Sequence, residues 1–252
     1  MIRALLILCA ILCVQSFTKL PFSKQKFFSS SKLQVTEGDT AVVPGIGYEG
    51  CLLPSPSGVN TLPTPVQSGI FLGIFGGLFI STVASVQLVD IISSTLPEIS
   101  SILSSGRILL GVIFLAAGIS HFTLKEEFCN IMPAKGTWGF WYLPGSPFFH
   151  VAWTGVVEIL GGLGYTVGEA SRIFNFMLPS PFENLSADSA LVLLVLTVLV
   201  TPANIYMFTH GAKLPREGPE VPVSFHAIRG AMQISLFTSF YIFGRSALEQ
   251  FM

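Results

Sequence analysis

One carboxylic acid, Glu158, stands in the middle of an apolar run from Phe148 to Gly168, FFHVAWTGVVEILGGLGYTVG. About 20 such residues cross a hydrocarbon layer ~30 Å thick, which places this carboxyl near the midplane. A charge there costs a few kcal/mol or more, so an intramembrane acid takes a proton, pairs with a cation or serves a ligand. Gly155 and Gly162 fall at i−3 and i+4 from Glu158 and mark a face where another helix can approach closely. Six further side chains could reach such an acid from other apolar spans: Arg107, His121, Asn204, His226, Arg229 and Gln233. Together they could bind a proton, a polar headgroup or a quinone.

The elements that must position these groups follow from composition. Hydrophobic residues make up 51% of the 252-residue chain and charged residues 11%, with a mean hydropathy of +0.69. Soluble domains carry ~25% charged residues, so the expected class is an all-α, multi-pass transmembrane helical bundle. A net charge of −1 without a basic stripe argues against nucleic acid as a partner. The expected partners are membrane lipid, other membrane-protein subunits and a small molecule.

The N-terminus reads as an address. Residues 1–16 have a basic start at Arg3, an apolar stretch from Ala4 to Val14 and small residues before Phe17, as in a signal peptide. Residues 17–40 form a transit-like segment: from Phe17 to Thr36 there are four lysines, four serines and no acid. A signal peptide followed by a Phe-initiated transit segment resembles the bipartite plastid presequence of algae with secondary plastids. That resemblance implies a plastid membrane, thylakoid or envelope; an ordinary secretory signal followed by a basic linker, with residence in the endoplasmic reticulum, is the alternative. Cys9 and Cys13 lie in the presumed cleaved segment, and Cys51 and Cys129 form no C-x-x-C pair.

Residues 41–65, rich in Pro, Gly and Ser, are expected to be a disordered linker. A first span covers 66–92, where Gly69, Gly73, Gly77, Ser81 and Ser85 form an i, i+4 ladder of small residues suited to close helix packing. Four more spans are expected within 105–246, at about 105–122, 148–168, 187–208 and 225–243. Between the second and third spans, Trp138, Phe140, Trp141 and Tyr142 suggest an aromatic girdle at the headgroups; a lid over a cavity is the other reading. Ser186 and Asp188 are expected to cap the fourth span. Pro202 should kink it and free a carbonyl, and the nearby Asn204 amide can satisfy that carbonyl or a neighbour. This connectivity puts the start of the first span, the aromatic loop and the 210–224 loop on one side, where lysine and arginine are more numerous, and assigns that side to stroma or cytosol.

Two readings of the polar groups stay open. Glu158 is either protonated or paired with Arg107 or Arg229 to fix helix register, with nothing bound; or the groups line a half-membrane cavity. His121 and His226 each stand alone, as interfacial histidines do, and no H-x-x-E-H spacing is present to hold a metal.

Arg107-Ile-Leu-Leu-Gly111, Ala117-Gly118-Ile-Ser-His121-Phe122, Gly155-Val-Val-Glu158-Ile-Leu-Gly161-Gly162 and Pro202-Ala203-Asn204-Ile205-Tyr206-Met207 occur in that order. As a set they resemble the successive signatures of the DoxX-like family. The resemblance covers about Arg107 to Gly244 and implies a four-helix membrane core, with the 66–92 span as an additional N-terminal helix. The stretch from Gly136 to Pro147 is longer than that family's usual connection. Some relatives are membrane subunits of a thiosulfate:quinone oxidoreductase and others have been linked to redox homeostasis or to assembly. The implied roles are therefore a non-enzymatic component that assembles or stabilises a membrane complex or, alternatively, a quinone-linked redox subunit. The sequence shows no nucleophile–base pair, phosphate loop, haem motif or flavin motif, so no cofactor is expected apart from that quinone.

Overall fold

A computed structural model describes residues 54–96, 98, 106–215, 219 and 221–250. The expected signal, transit-like segment and most of the linker, with Phe17, Cys9, Cys13 and Cys51, lie outside the described residues, as does Arg216. Among the described residues the structure is built from helices and turns without a strand. The helices are α1 (Thr64–Thr95), α2 (Arg107–Thr123), α3 (Lys125–Asn130), α4 (Pro147–Ile173), α5 (Leu185–His210) and α6 (Val223–Glu249).

Local chemistry sets several of these boundaries. Pro65 opens α1, where a missing N–H costs nothing. α4 starts with Pro147 behind Ser146, whose hydroxyl accepts from the Phe149 amide at 3.2 Å. α5 closes on Gly211 in the left-handed conformation, φ 69°. Its start departs from expectation: Asn184 flanks the helix without a side-chain cap, and the Ser186 hydroxyl donates instead to Glu169 of α4.

α1, α4 and α5 are each long and apolar enough to cross a membrane. Five such spans were expected. α2 is apolar but only 17 residues long, and α6, at 27 residues, is interrupted by His226, Arg229 and Gln233.

α2 lies against α4 along glycines. A Cβ on Gly118 would sit 2.7 Å from the Ile159 nitrogen, and one on Gly162 would sit 2.5 Å from the Leu115 nitrogen. The α2 glycines, Gly111 and Gly118, and the α4 glycines, Gly155 and Gly162, are each seven residues apart, so they return to one seam every two turns. Gly244 of α6 and Gly168 of α4 allow similar approaches to α5, at Leu191 and Ser186. Phe114, Tyr165, Leu193, Leu196 and Phe240 fill the interior between α2, α4, α5 and α6.

α1 rests on α5 and α6 by one side only, and Phe71 is its single buried residue. The ladder expected to pack helices behaves differently: Gly69, Gly73 and Gly77 are exposed, and a Cβ on any of them would meet nothing within 4 Å. Among the described residues no helix occupies that strip. The linker expectation also changes at its end. Ser55, Val59 and Asn60 are buried, because the Ser55 and Ser57 hydroxyls donate to the Thr209 and Phe208 carbonyls at the end of α5. Those carbonyls have no helical donor and must be met from outside.

Gly162→Val is expected to lower stability by roughly 1–3 kcal/mol, because the atoms it meets are backbone and cannot move aside. Thermal denaturation in one detergent measures this; an unchanged melting temperature would show that α2 and α4 do not touch there.

Candidate functional site

Glu158 is 7% exposed and lies about 17 Å along α4 from its N-terminus. Its partner is His121, whose Nδ1 is 3.1 Å from Oε2 and 3.0 Å from the Ala117 carbonyl. That carbonyl already accepts the His121 backbone N–H within the helix. With the ring proton directed at Ala117, Oε2 has no donor of its own. A carboxyl proton on Oε2 donated to Nδ1 would give both of these atoms a partner. Moving the shared proton across gives carboxylate and imidazolium, and the pair remains neutral overall in both forms. Phe128 stacks on the imidazole, with centroids 3.9 Å apart, and covers its other side.

A second polar chain joins α5 to α6. Arg229 Nη2 donates to Asn204 Oδ1, and Asn204 Nδ2 donates to Gln233 Oε1 at 2.8 Å. Gln233 Nε2 then donates to the Thr201 hydroxyl at 3.0 Å and to the Thr197 carbonyl at 3.2 Å. Both N–H groups of Gln233 and one of Asn204 thus have an acceptor, and each amide oxygen has a donor. Pro202 sits inside α5, which runs on through it. Of the two uses open to Asn204, the carbonyl that Pro202 frees or a neighbour, it takes the neighbours Arg229 and Gln233 on α6, and Gln233 reaches the Thr197 carbonyl beside that turn.

These two groups meet at a cavity of about 230 Å³, lined by His121, Glu158, Asn204, Arg229, His150 and Trp153 among others. Its cover is the aromatic loop. Phe128, Ile131, Met132, Trp141 and Leu143 line the cavity, and Trp138 is only 1% exposed. Trp138 packs on Phe71 at 4.5 Å between centroids and donates from Nε1 to the Thr209 hydroxyl at 3.1 Å. Of the two readings of this loop, girdle or lid, Trp138 and Trp141 face inward as a lid requires, while Phe140 and Tyr142 are exposed. Trp138 also has φ 53°, ψ 11°. A bulky residue is strained there, and the buried ring, its hydrogen bond and the Ser68 hydroxyl on its carbonyl hold it in place.

His150 was absent from the sequence-based site. Trp153 Nε1 donates to its Nδ1 at 3.1 Å, which puts the ring proton on Nε2, where it donates to the Pro144 carbonyl at 2.7 Å. His150 thereby pins the end of the lid to α4, and its i, i+3 spacing from Trp153 at a helix start was the available signal.

Arg107 does not join the site. It lies 4.0 Å from Glu169 Oε1, with its guanidinium 4.0 Å over the Phe243 ring. Glu169 also accepts from Arg172 at 3.1 Å. The reason is register: an antiparallel seam pairing Gly118 with Gly155 and Gly111 with Gly162 sets Arg107 level with Thr166, one turn from Glu169. Arg229 makes no ion pair with Glu158 either, although both line the cavity; among the described residues no carboxylate lies within 4.0 Å of Arg229. His226 stands apart from the cavity, its ring against Phe208.

No protein-family model, curated protein or solved structure matches the chain.

The shared proton makes a specific prediction. Glu158→Gln retains a donor for Nδ1 and should remain within ~1 kcal/mol of the wild type, whereas Glu158→Leu strands a buried imidazole and should lose ~1–3 kcal/mol. Equal melting temperatures for all three proteins would show that the carboxyl has no buried partner.

Proposed function

We propose that the chain is an integral membrane protein of the DoxX-like type that acts without catalysis, helping to assemble or stabilise a membrane complex. The observation that carries this reading is the bare ladder on α1. Each glycine weakens a helix by about 0.5–1 kcal/mol relative to alanine, and among the described residues Gly69, Gly73, Gly76 and Gly77 pack on nothing, since a Cβ on any of them meets open space. Small residues along one exposed strip let a helix of another subunit approach closely.

Substitution of the ladder separates this role from stability. Gly73→Ala should leave the isolated protein as stable or raise it by ~0.5–1 kcal/mol. Native gels of gently solubilised membranes should show the chain in a larger species, and the double substitution Gly73→Ile with Gly77→Ile should abolish it while the purified protein keeps its helical content. A larger species that survives the double substitution would overturn the proposal.

The cavity favours a second reading, a quinone-linked redox subunit, because a proton-sharing Glu158–His121 pair and the Asn204–Arg229 donors face one space beneath two tryptophans. Purification with native lipid distinguishes the two: quinone that co-purifies and supports turnover favours this second reading, and a stable complex with neither favours the first.

For localisation we propose a plastid membrane, on the strength of Phe17 and the acid-free lysine- and serine-rich stretch behind it. Residues 1–40 fused to a fluorescent protein should reach the plastid, and Phe17→Ala should divert them. Retention in the endoplasmic reticulum by both fusions would favour the secretory alternative.

A further inference from the structure

α6 brings a cation about 9 Å below its N-terminus, at Arg229. Of the five N–H donors of its guanidinium, one is used, on the neutral Asn204 amide. Among the described residues the buried side-chain atoms without a partner are Arg107 Nε, Glu158 Oε2, Tyr165 Oη and Thr238 Oγ1; no Arg229 nitrogen is among them, so its spare donors border open space. A guanidinium at this depth, with no carboxylate within 4.0 Å among the described residues, calls for an anion from outside the chain.

The space it faces has the form of an amphiphile. Beside Arg229, a cleft of about 320 Å³ runs between α1, α5 and α6, lined by Ile74, Leu78, Asn204, His226 and Gln233. At Leu78 it meets a second cleft of about 530 Å³ along the same three helices, whose walls include Phe75, Val86, Val198, Phe237 and Tyr241. That lower part is almost wholly apolar, and its outer wall is open: Phe79 is 66% exposed and Val83 is 44% exposed. Both volumes fall in the range of ligand pockets. Cation at the shallow end, apolar channel at the deep end and lateral opening towards the hydrocarbon all fit one kind of molecule.

We propose that the α1–α5–α6 cleft binds an acyl lipid with an anionic headgroup, its anion on Arg229 and its chain between α1 and α6. The guanidinium gains a charge-assisted partner, and the chain fills the gap left because α1 touches the bundle by one side only. The site is separate from the Glu158 cavity, with Arg229 and Asn204 forming the wall between them.

Native mass spectrometry of the full chain in detergent tests this with dioleoyl phosphatidylglycerol, dioleoyl phosphatidylcholine and glycerol 3-phosphate as probes. The wild type should retain phosphatidylglycerol about five- to tenfold better than phosphatidylcholine, the size of effect expected for one cation near the headgroups. Arg229→Gln should erase that preference. Val198→Trp, which fills the channel and leaves Arg229 in place, should weaken retention of both lipids, and glycerol 3-phosphate should not be retained. Equal retention of the two lipids by the wild type, an undiminished preference in Arg229→Gln, or glycerol 3-phosphate held as well as the lipid would each overturn the proposal.

Discussion

Gly118 and Gly155 let α2 and α4 meet so closely that a β-carbon on Gly118 would lie 2.8 Å from the Gly155 carbonyl, and one on Gly155 would lie 2.7 Å from the His121 Cβ. The buried acid depends on that approach. Were the helices held apart by ordinary side chains, His121 would not reach Glu158, and a carboxyl far inside the bundle would have to stay protonated without an acceptor. The same glycines fix which groups face each other, because an antiparallel seam with a seven-residue repeat admits one register. Arg107 is then bound to Glu169 at one end, and His121 to Glu158 towards the other. Two acids on one helix thus acquire different partners from a single packing decision, one an arginine pair and one a shared proton.

The end of the bundle that carries the cavity is closed by a loop whose polar atoms are used internally. Asn130 donates to the Lys213 carbonyl at 2.8 Å, Trp138 donates to Thr209, and His150 holds Pro144. The buried Cys129 belongs to this layer, and burial raises its thiol above the ordinary value, so it is held as an unreactive apolar group. A loop that merely skimmed the headgroups would leave its tryptophans half wet. Here the strained backbone at Trp138 is tolerated because the ring fills the space between Phe71 and Tyr206, which gives α1 one of its few fixed points on the bundle.

The helices were legible because hydrophobic length and periodicity are local properties: all five expected spans correspond to helices, displaced by a few residues at their ends. Pairing was less legible. Charge alone nominates an arginine for a buried acid, and only the glycine spacing, taken as register, points away from Arg107. Asn204 had two possible uses in the sequence, the carbonyl freed by Pro202 and a neighbour, and only the placement of α6 decides for Arg229 and Gln233 across the α5–α6 interface. Inward-facing tryptophans cannot be told from interfacial ones by composition, since both favour an apolar ring beside a polar N–H.

The two sets of glycines show why a small-residue stripe has no fixed meaning until a partner is placed on it. Gly111, Gly118 and Gly162 face backbone and Gly155 faces the His121 Cβ, all at distances that exclude a Cβ, and these glycines are used within the α2–α4 seam. Gly69, Gly73 and Gly77 have the same chemistry and among the described residues face nothing, on a helix whose opposite side is itself partly separated from the bundle by an apolar channel. α1 therefore has two unfilled sides of different character. The narrow, side-chain-free strip suits a helix backbone, which needs flat contact, and the wide channel with a cation at its mouth suits a flexible amphiphile. A lipid in the channel would press α1 against nothing rigid on its outer side, whereas a helix seated on the strip would hold it from there; the two occupants would therefore support one another through the position of α1.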